Sequence, residues 1–445
     1  MKEFVRKLFD AAKKAGATAA EAYWVEESSF EAMAMEGEIT QYSANTTRGL
    51  GFRAMLENRM GYASTEAFDD LAVEQLVEGV VNSARYCEDT DEVFMHDGID
   101  TVPNLCLYNP DLEKVSPEEK LDFVLRLEQE AKKYDARIER VGDSTVFSSR
   151  ATLHIMNTLG LEREYTRNDC GAFLQPVAHE GESISTGVGI AVNRDFSALD
   201  PEKIATEAAQ IAVGGLHAMS IPSGSYRVIF ENIAMVDLLG VFSGVFSAEN
   251  TQKGLSLLQG KIGEDIAASI LSLVDDPLME TGLSSRPFDA EGVASKKHIL
   301  IEKGKLCTFL HNLKTAHKDG VASTGNAGKA GYAGAVQIAP SNLYIVPGEK
   351  SLQEMMSAVG EGIVVTDVSG LHAGANAISG DFSLLSKGFF FQNGKKQKPV
   401  EQITVAGNFF EVLKSMRAIG DDLRFPKGGI GSPSVDVGEL SVGGQ

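Results

Sequence analysis

The histidines are the residues best suited to metal chemistry, but their spacing forms no recognised metal-binding motif. Only His311 and His317 lie close together, and facing positions on a helix are three or four residues apart, not six. With Asp289 and Glu291 they could form a metal site, because three or four such ligands can bind one ion when they converge. The sequence does not show that convergence, and ordinary hydrogen-bonded roles are the alternative. Motifs of the H-E-x-x-H, G-x-S-x-G and G-x-x-x-x-G-K-[ST] types are absent from the chain.

Two glycine-rich segments, 323–329 and 371–383, are candidates for binding an extended peptide or a partner. Glycine permits close backbone approach, and exposed N–H and C=O groups can pair with an added strand. We expect both segments to lie together at the edge of a cleft, with Asp381 orienting backbone N–H groups or His372. Tight turns, with Asp381 as a turn cap, are the alternative interpretation. The candidate residues are Asn326, Lys329, His372, Asn376, Ser379, Gly380, Asp381 and Ser383.

The charge balance disfavours nucleic acid as a direct ligand. The chain of 445 residues has 41 basic and 62 acidic side chains, a net charge of −21, whereas phosphate binding requires a concentrated basic surface. The four cysteines have no metal-binding spacing, which is typical of a reducing compartment. The N-terminus predicts an amphipathic helix and not a signal peptide, and no apolar run is long enough to span a membrane. We therefore expect a cytoplasmic protein without membrane contact.

The pattern along the chain predicts an α+β fold. A succession of helix, antiparallel strands and helix occurs twice, which predicts an N-terminal unit over 1–88, a linker over 89–115 and a second unit over 116–217. A β-rich C-terminal domain is expected over 223–445, where glycine becomes frequent and short apolar runs alternate with turns. The helices predicted within it are 233–246, 263–270, 352–358 and 409–417.

Ordered motifs in the C-terminal half resemble the PmbA/TldD family, whose members are also called modulators of DNA gyrase. The N-terminal half is similar at 48–53 and 61–65, so the resemblance covers nearly the whole chain. The C-terminal motifs occupy 246–249, 260–264, 275–277, 288–292, 323–326, 372–376, 379–383 and 403–408, followed by Ser432-Pro433.

The resemblance implies a subunit without the zinc site of the family. TldD-type members carry L-L-H-E-x-x-x-H on a helix, together with a later cysteine, and the two histidines bind zinc while the glutamate acts as a base. Here Gly240 and Val245 occupy the histidine positions and Val241 the glutamate position, and no cysteine lies near 428–431. This matches the TldE/PmbA-type branch. No catalytic residue, metal or cofactor is then expected in this chain.

For such a subunit, the resemblance implies a heterodimer with a zinc-containing TldD-type subunit. A homodimer is left open for the case in which that subunit is absent. The substrates of such peptidases are unfolded polypeptides or peptide precursors. Two alternatives remain open at this point. The chain could be a stand-alone hydrolase that uses His372, Asp381 and Ser383, or a regulatory binding protein, although its charge disfavours DNA as the ligand.

Overall fold

The N-terminal half of the computed structural model is a single antiparallel sheet flanked by helices. The structure describes residues 1–86, 92–426 and 428–445, so the expected boundary between 88 and 89 lies outside the described residues. The first group of elements is α1 (Lys2–Lys14), β1 (Ala19–Met35), β2 (Glu38–Leu56), β3 (Arg59–Thr65) and α2 (Asp70–Tyr86). The second is α3 (Pro117–Tyr134), β4 (Ile138–Asn157), β5 (Glu162–Glu180), β6 (Ser183–Thr186), β7 (Gly189–Asn193) and α4 (Pro201–Gly214).

The two groups share one sheet because β1 pairs with β4 over most of its length. The strand order is β3-β2-β1-β4-β5-β6, with β7 paired to β5. Helices α1 and α2 pack on the β1–β3 part of this sheet, and α3 and α4 on the β4–β7 part. The long strands therefore form one platform, and the division of this half into two units stays a prediction.

Local sequence signals explain where the helices begin. Ser116 accepts a hydrogen bond from the backbone N–H of Glu119, whose side chain accepts one from the N–H of Ser116, so α3 begins with a capping box. Asp200 accepts from two N–H groups in the first turn of α4. Proline occupies the first position of both helices, where its missing N–H costs nothing.

The C-terminal half is β-rich, and five of its strands close into a ring. Strand β8 pairs with β15, then β16, β17 and β20 follow in turn, and β20 pairs again with β8. Closure leaves these five strands without a free edge where they pair. The strands are β8 (Gly224–Phe230), β9 (Leu273–Asp275), β10 (His298–Glu302), β11 (Lys305–Leu306), β12 (Ala327–Gly328), β13 (Gln337–Ile338), β14 (Leu343–Ile345), β15 (Glu361–Ser369), β16 (Asp381–Gln392), β17 (Lys395–Asn408), β18 (Ala418–Ile419), β19 (Ile430–Gly431) and β20 (Val435–Gly443).

The helices of this half are mostly short, and the first of them lies in the core. Apolar residues of α5 pack with inward residues of the ring and of a second sheet, ordered β11-β10-β9-β14-β19, in one continuous core. The helices are α5 (Asn232–Phe242), α6 (Ala248–Gln252), α7 (Leu313–Asp319), α8 (Leu352–Val359), α9 (Leu371–Gly374) and α10 (Phe409–Ser415). None of the helices in the described ranges combines the length and apolarity needed to cross a membrane.

The predicted α+β fold is confirmed, with two local corrections among the helices. The helix predicted over 263–270 is wrong, because this segment forms turns and a bridge between Asp265 and Lys305. The N–H of Ile266 donates to Gly304 O at 2.9 Å, so the segment is held by a neighbouring hairpin and not by helical bonds. The helix predicted over 233–246 ends at Phe242 and continues as a 3-10 turn over Ser243–Phe246.

Candidate functional site

The positions that the resemblance matches to the family zinc site lie at the end of α5 and in the 3-10 turn after it. A Cβ atom added at Gly240 would meet nothing within 4 Å, so this position faces open space. Val241 packs partly against the core, and Val245 lies inside it with 1% of its surface exposed. Zinc requires nitrogen, sulfur or oxygen ligands, and these three side chains offer none. The site therefore does not fit a zinc ion.

The segment 371–383 lies beside α5 and is held by its own hydrogen bonds. The side chain of Asn376 accepts from the N–H groups of Ile378 and Ser379, at 3.0 and 3.2 Å. Asn408 Nδ2 donates to Asp381 Oδ1 at 2.9 Å, and this bond, with a second from Ser379, holds the pKa of Asp381 below its usual value. The turn is therefore capped by the side chain of Asn376, while the carboxylate of Asp381 bonds to neighbouring side chains. Both interpretations of Asp381 stay predictions.

The three residues of the stand-alone hydrolase hypothesis are all exposed. His372 precedes the turn, while Asp381 and Ser383 begin β16 on its outward side. No hydrogen bond joins His372 to either of them in the part of the chain that the structure describes. The neighbouring Phe382 instead points inward and forms an edge-to-face contact with Phe242 of α5. The segment thus contacts the helix that carries the zinc-site positions without presenting a preassembled triad.

The segment 323–329 has different surroundings. Asn326 is 1% exposed, and its Nδ2 donates to Asp275 Oδ2 at 2.7 Å, so this candidate residue is part of the core. Gly325 lies against Ala294, while the glycine-rich turn at Gly380 lies against Phe410. No hydrogen bond, ion pair or ring contact joins the two described segments to each other. The expected shared cleft edge therefore gains no support from these contacts. Lys329, the last residue of the first segment, lines a cavity.

The metal site left open by the histidine spacing does not form in the described residues. Asp289 accepts hydrogen bonds from three backbone N–H groups, and burial raises its pKa. His311 is buried, which lowers its pKa, whereas His317 is exposed and pairs with Glu92 at 3.2 Å. No group of three or more metal-binding side chains converges within residues 1–86, 92–426 and 428–445.

A buried charge cluster joins the N-terminal sheet to the C-terminal domain. Arg53 of β2 lies directly opposite Glu21 of β1, and its Nε donates to Glu21 Oε1 at 2.8 Å. Its Nη1 is 3.5 Å from Glu291 Oε1, while the second oxygen of Glu291 accepts from the N–H of Leu313 at 2.8 Å. Burial would lower the pKa of Arg53, but the two carboxylates raise it above its ordinary value. The arginine therefore stays charged between the two domains.

Lys329 extends the cluster by a second cation. Its Nζ lies 4.5 Å from the centre of the Tyr23 ring, which is a cation–π geometry. Burial, and next the charge of Arg53, lower the pKa of Lys329 to about 8. In the described residues its ammonium has neither a hydrogen bond nor an ion pair. A lysine with such a pKa beside a cavity is a candidate for a functional group.

Two neighbouring cavities open at this cluster. The smaller, of about 170 Å³, is lined by Arg53, Tyr62 and Lys329 together with residues of the 329–334 segment. The larger, of about 300 Å³, shares Arg53 and Tyr62 and extends to α6 and α7. Lining by convergent polar groups is typical of ligand sites.

Lys329 is among the candidate residues expected from the sequence, whereas Glu21 and Arg53 are not. The available signal was one charged residue inside each of two apolar runs, 19–24 and 49–55. A charged side chain in such a run is rarely buried without a partner. Glu21 and Arg53 each therefore indicate that an opposite charge lies nearby.

Comparison with known proteins assigns the family. Models of the PmbA/TldA metallopeptidase family match residues 20–84 as domain 1, 110–216 as the central domain and 223–444 as the C-terminal domain. The chain belongs to the PmbA/TldD family. It is 28% identical over 419 residues to Metalloprotease PmbA of Escherichia coli O157:H7, across 92% of this chain and 88% of that protein. It is 25% identical to the Metalloprotease TldD homolog of Haemophilus influenzae, across 92% and 89% of the two chains.

Solved structures of the PmbA/TldD family have the same fold. A Thermotoga maritima protein described as a modulator of a DNA gyrase is 34% identical, with a TM-score of 0.91 over 99% of this chain and all of that one. TldE from Thermococcus kodakarensis also gives a TM-score of 0.91, over 99% of this chain and all of that one. Its identity is 22%, so this second likeness shows the fold alone.

Proposed function

We propose that this chain is the TldE/PmbA-type subunit of a TldD/TldE-type metallopeptidase, one that shapes the peptide-binding cleft while a TldD-type subunit holds zinc and cuts. Its substrates are unfolded polypeptides or peptide precursors. The complex acts in the cytoplasm as a heterodimer, and the chain forms a homodimer when the TldD-type subunit is absent.

The observation that carries this proposal is the chemistry at the end of α5. Gly240 and Val245 replace the two histidines of the family motif, and Val241 replaces the glutamate. Restoring the ligands would require a polar side chain at Val245, which lies in the apolar core. The valine at position 245 is therefore part of the apolar core. This is expected for a subunit that does not bind zinc at these positions.

The test compares each subunit with the mixture. We expect labelled, unfolded casein to be cleaved by the mixture and not by this chain alone, with a heterodimer seen by size-exclusion chromatography with light scattering. The matched control is a mixture in which the zinc-binding histidines of the TldD-type subunit are replaced by alanine. This control should still assemble but not cleave. Cleavage by the isolated chain that persists in a metal chelator would overturn the proposal and favour a stand-alone hydrolase.

A further inference from the structure

We propose that the cavities at the Arg53–Lys329 cluster bind the carboxylate at the C-terminal end of a peptide. Arg53 and Lys329 are the two cationic contacts. This assignment rests on the proposed function, because it names the part of the peptide that this chain would hold.

Arg53 is a buried arginine with an unused hydrogen-bond donor. Arg53 is 3% exposed, and its Nη2 has no hydrogen-bond partner although its Nε and Nη1 face Glu21 and Glu291. A guanidinium offers five N–H donors in a fork that matches a carboxylate. A buried donor without a partner is unfavourable. A ligand oxygen at this position would accept the hydrogen bond that Nη2 of Arg53 does not make within the protein.

Basic side chains outnumber acidic ones around the two cavities. Among the described residues, the two cavities are lined by five basic side chains and two acidic ones, within a chain whose net charge is −21. Lys329 adds an ammonium without a hydrogen bond, at the wall of the smaller cavity. Cations gathered in a cleft of an acidic protein attract anions. The basic residues are Arg53, Lys253, Lys314, Lys318 and Lys329, and the acidic residues are Glu249 and Glu291.

The segment 329–336, which we call the strap, forms one wall of the smaller cavity. A Cβ atom at Gly51 would lie 1.9 Å from the backbone oxygen of Tyr332, and one at Gly49 would lie 2.1 Å from the Tyr332 ring. Glycine at both positions thus allows the strap to cross β2 closely. The Tyr332 hydroxyl donates a hydrogen bond to Glu66, and this bond holds the middle of the strap in place. An anion between the strap and β2 would lie beside both cations in a partly enclosed space, where charges attract more strongly than in bulk water.

The size of the site favours a peptide end over a long extended chain. The smaller cavity, of about 170 Å³, suits a carboxylate group, and the larger, of about 300 Å³, suits the one or two residues before it. Met60, Val93 and Val336 contribute apolar surface to the larger cavity. A charged end beside a partly apolar space is the pattern that a terminal residue and its side chain require.

The experiment measures binding of labelled peptides to the isolated full chain by fluorescence anisotropy. One hexapeptide has a free C-terminal carboxylate and its twin a C-terminal amide. We expect the acid to bind about tenfold more tightly or better, since hydrogen bonds to charged groups are the strong ones. Lys329→Gln should abolish most of that preference and Lys329→Arg should retain it. The matched control is Lys395→Gln at the exposed start of β17, which should leave both affinities unchanged.

Competition distinguishes a peptide end from a free anion. We expect acetate and inorganic phosphate to displace the acid peptide only at far higher concentrations. Equal affinity of the acid and the amide would overturn the proposal, as would an acid preference that survives Lys329→Gln. Displacement by phosphate as effective as by the unlabelled peptide would overturn the peptide assignment in favour of a small anion. Because these affinities belong to the isolated chain, a failure of the casein test would not change them.

Discussion

The charge on Lys329 should make the folded protein less stable, so Lys329→Met should stabilise it near neutral pH. Lowering the pKa of a lysine from 10.5 to about 8 corresponds to on the order of 3 kcal/mol, at about 1.4 kcal/mol for each pH unit. The variant keeps the apolar stem but loses the cation–π contact with Tyr23, at 4.5 Å. Loss of this contact cancels about 1 kcal/mol of the stabilisation gained by removing the buried charge. We expect a net gain of roughly 2 kcal/mol in the free energy of unfolding at pH 6.5.

The pH dependence gives this prediction its sign. Below pH 8 the lysine is charged in both states, so the wild-type protein carries the full cost. Between pH 8 and the ordinary value of 10.5, the unfolded chain binds more protons than the folded one, so wild-type stability rises with pH. The advantage of Lys329→Met should therefore shrink at pH 9.5. Arg53, Glu21 and Glu291 are the other titratable groups that face this ammonium. Arg53 stays charged over this range, whereas burial raises the pKa of Glu291 to about 7, so this carboxyl group is fully ionised only at the higher pH.

Urea unfolding of the variant at pH 6.5 and 9.5 is the assay. Lys395→Met, at the exposed start of β17, is the matched control and should change stability little at either pH. The reasoning is refuted if Lys329→Met is no more stable than the wild-type protein at pH 6.5, or if its advantage is the same at both values.

Four further substitutions, compared in three experiments, test the packing around the two sites. Val245→His should lower the free energy of unfolding by about 2–4 kcal/mol, because it places a polar ring in the apolar core. Gly240→His faces open space and should be tolerated. Urea unfolding compares the two variants, and equal losses of stability would contradict the packing described above. Gly51→Ala should push the strap off β2, because its Cβ would overlap the carbonyl of Tyr332; limited proteolysis should then cut within 329–336, and an unchanged digest would count against the strap. Glu21→Gln removes one charge from a buried pair and should cost about 3 kcal/mol, measured by thermal unfolding, where an unchanged transition would show that the pair is not needed.

The helices predicted from 352 and from 409 begin at those residues. The capping boxes at Ser116 and Ser351 depend on residues three positions apart, so short-range chemistry determines them. The failure over 263–270 has the opposite cause. Its backbone bonds go to Gly304 and Leu306 of a distant hairpin, and a single sequence does not show which distant strand competes with the helix.

The charge cluster depended on a register that the sequence does not reveal. Counting back from the turn that pairs Met35 with Glu38 would place Glu21 opposite Phe52. A register shift between Met33 and Ala34 moves the pairing by one residue and brings Glu21 opposite Arg53. A one-residue shift exchanges the two faces of a strand, so the ion pair follows from the bulge. The zinc-site positions, by contrast, were assigned from the family resemblance alone.

Metal analysis of the separated and combined subunits tests the central claim most directly. Each subunit would be purified with equimolar zinc, passed over a desalting column and measured by mass spectrometry, with peptidase activity recorded on the same samples. The account predicts zinc far below one equivalent in this chain, about one zinc per heterodimer and cleavage only where the TldD-type subunit is present. One equivalent of zinc in the isolated chain, together with zinc-dependent cleavage by it, would contradict the account.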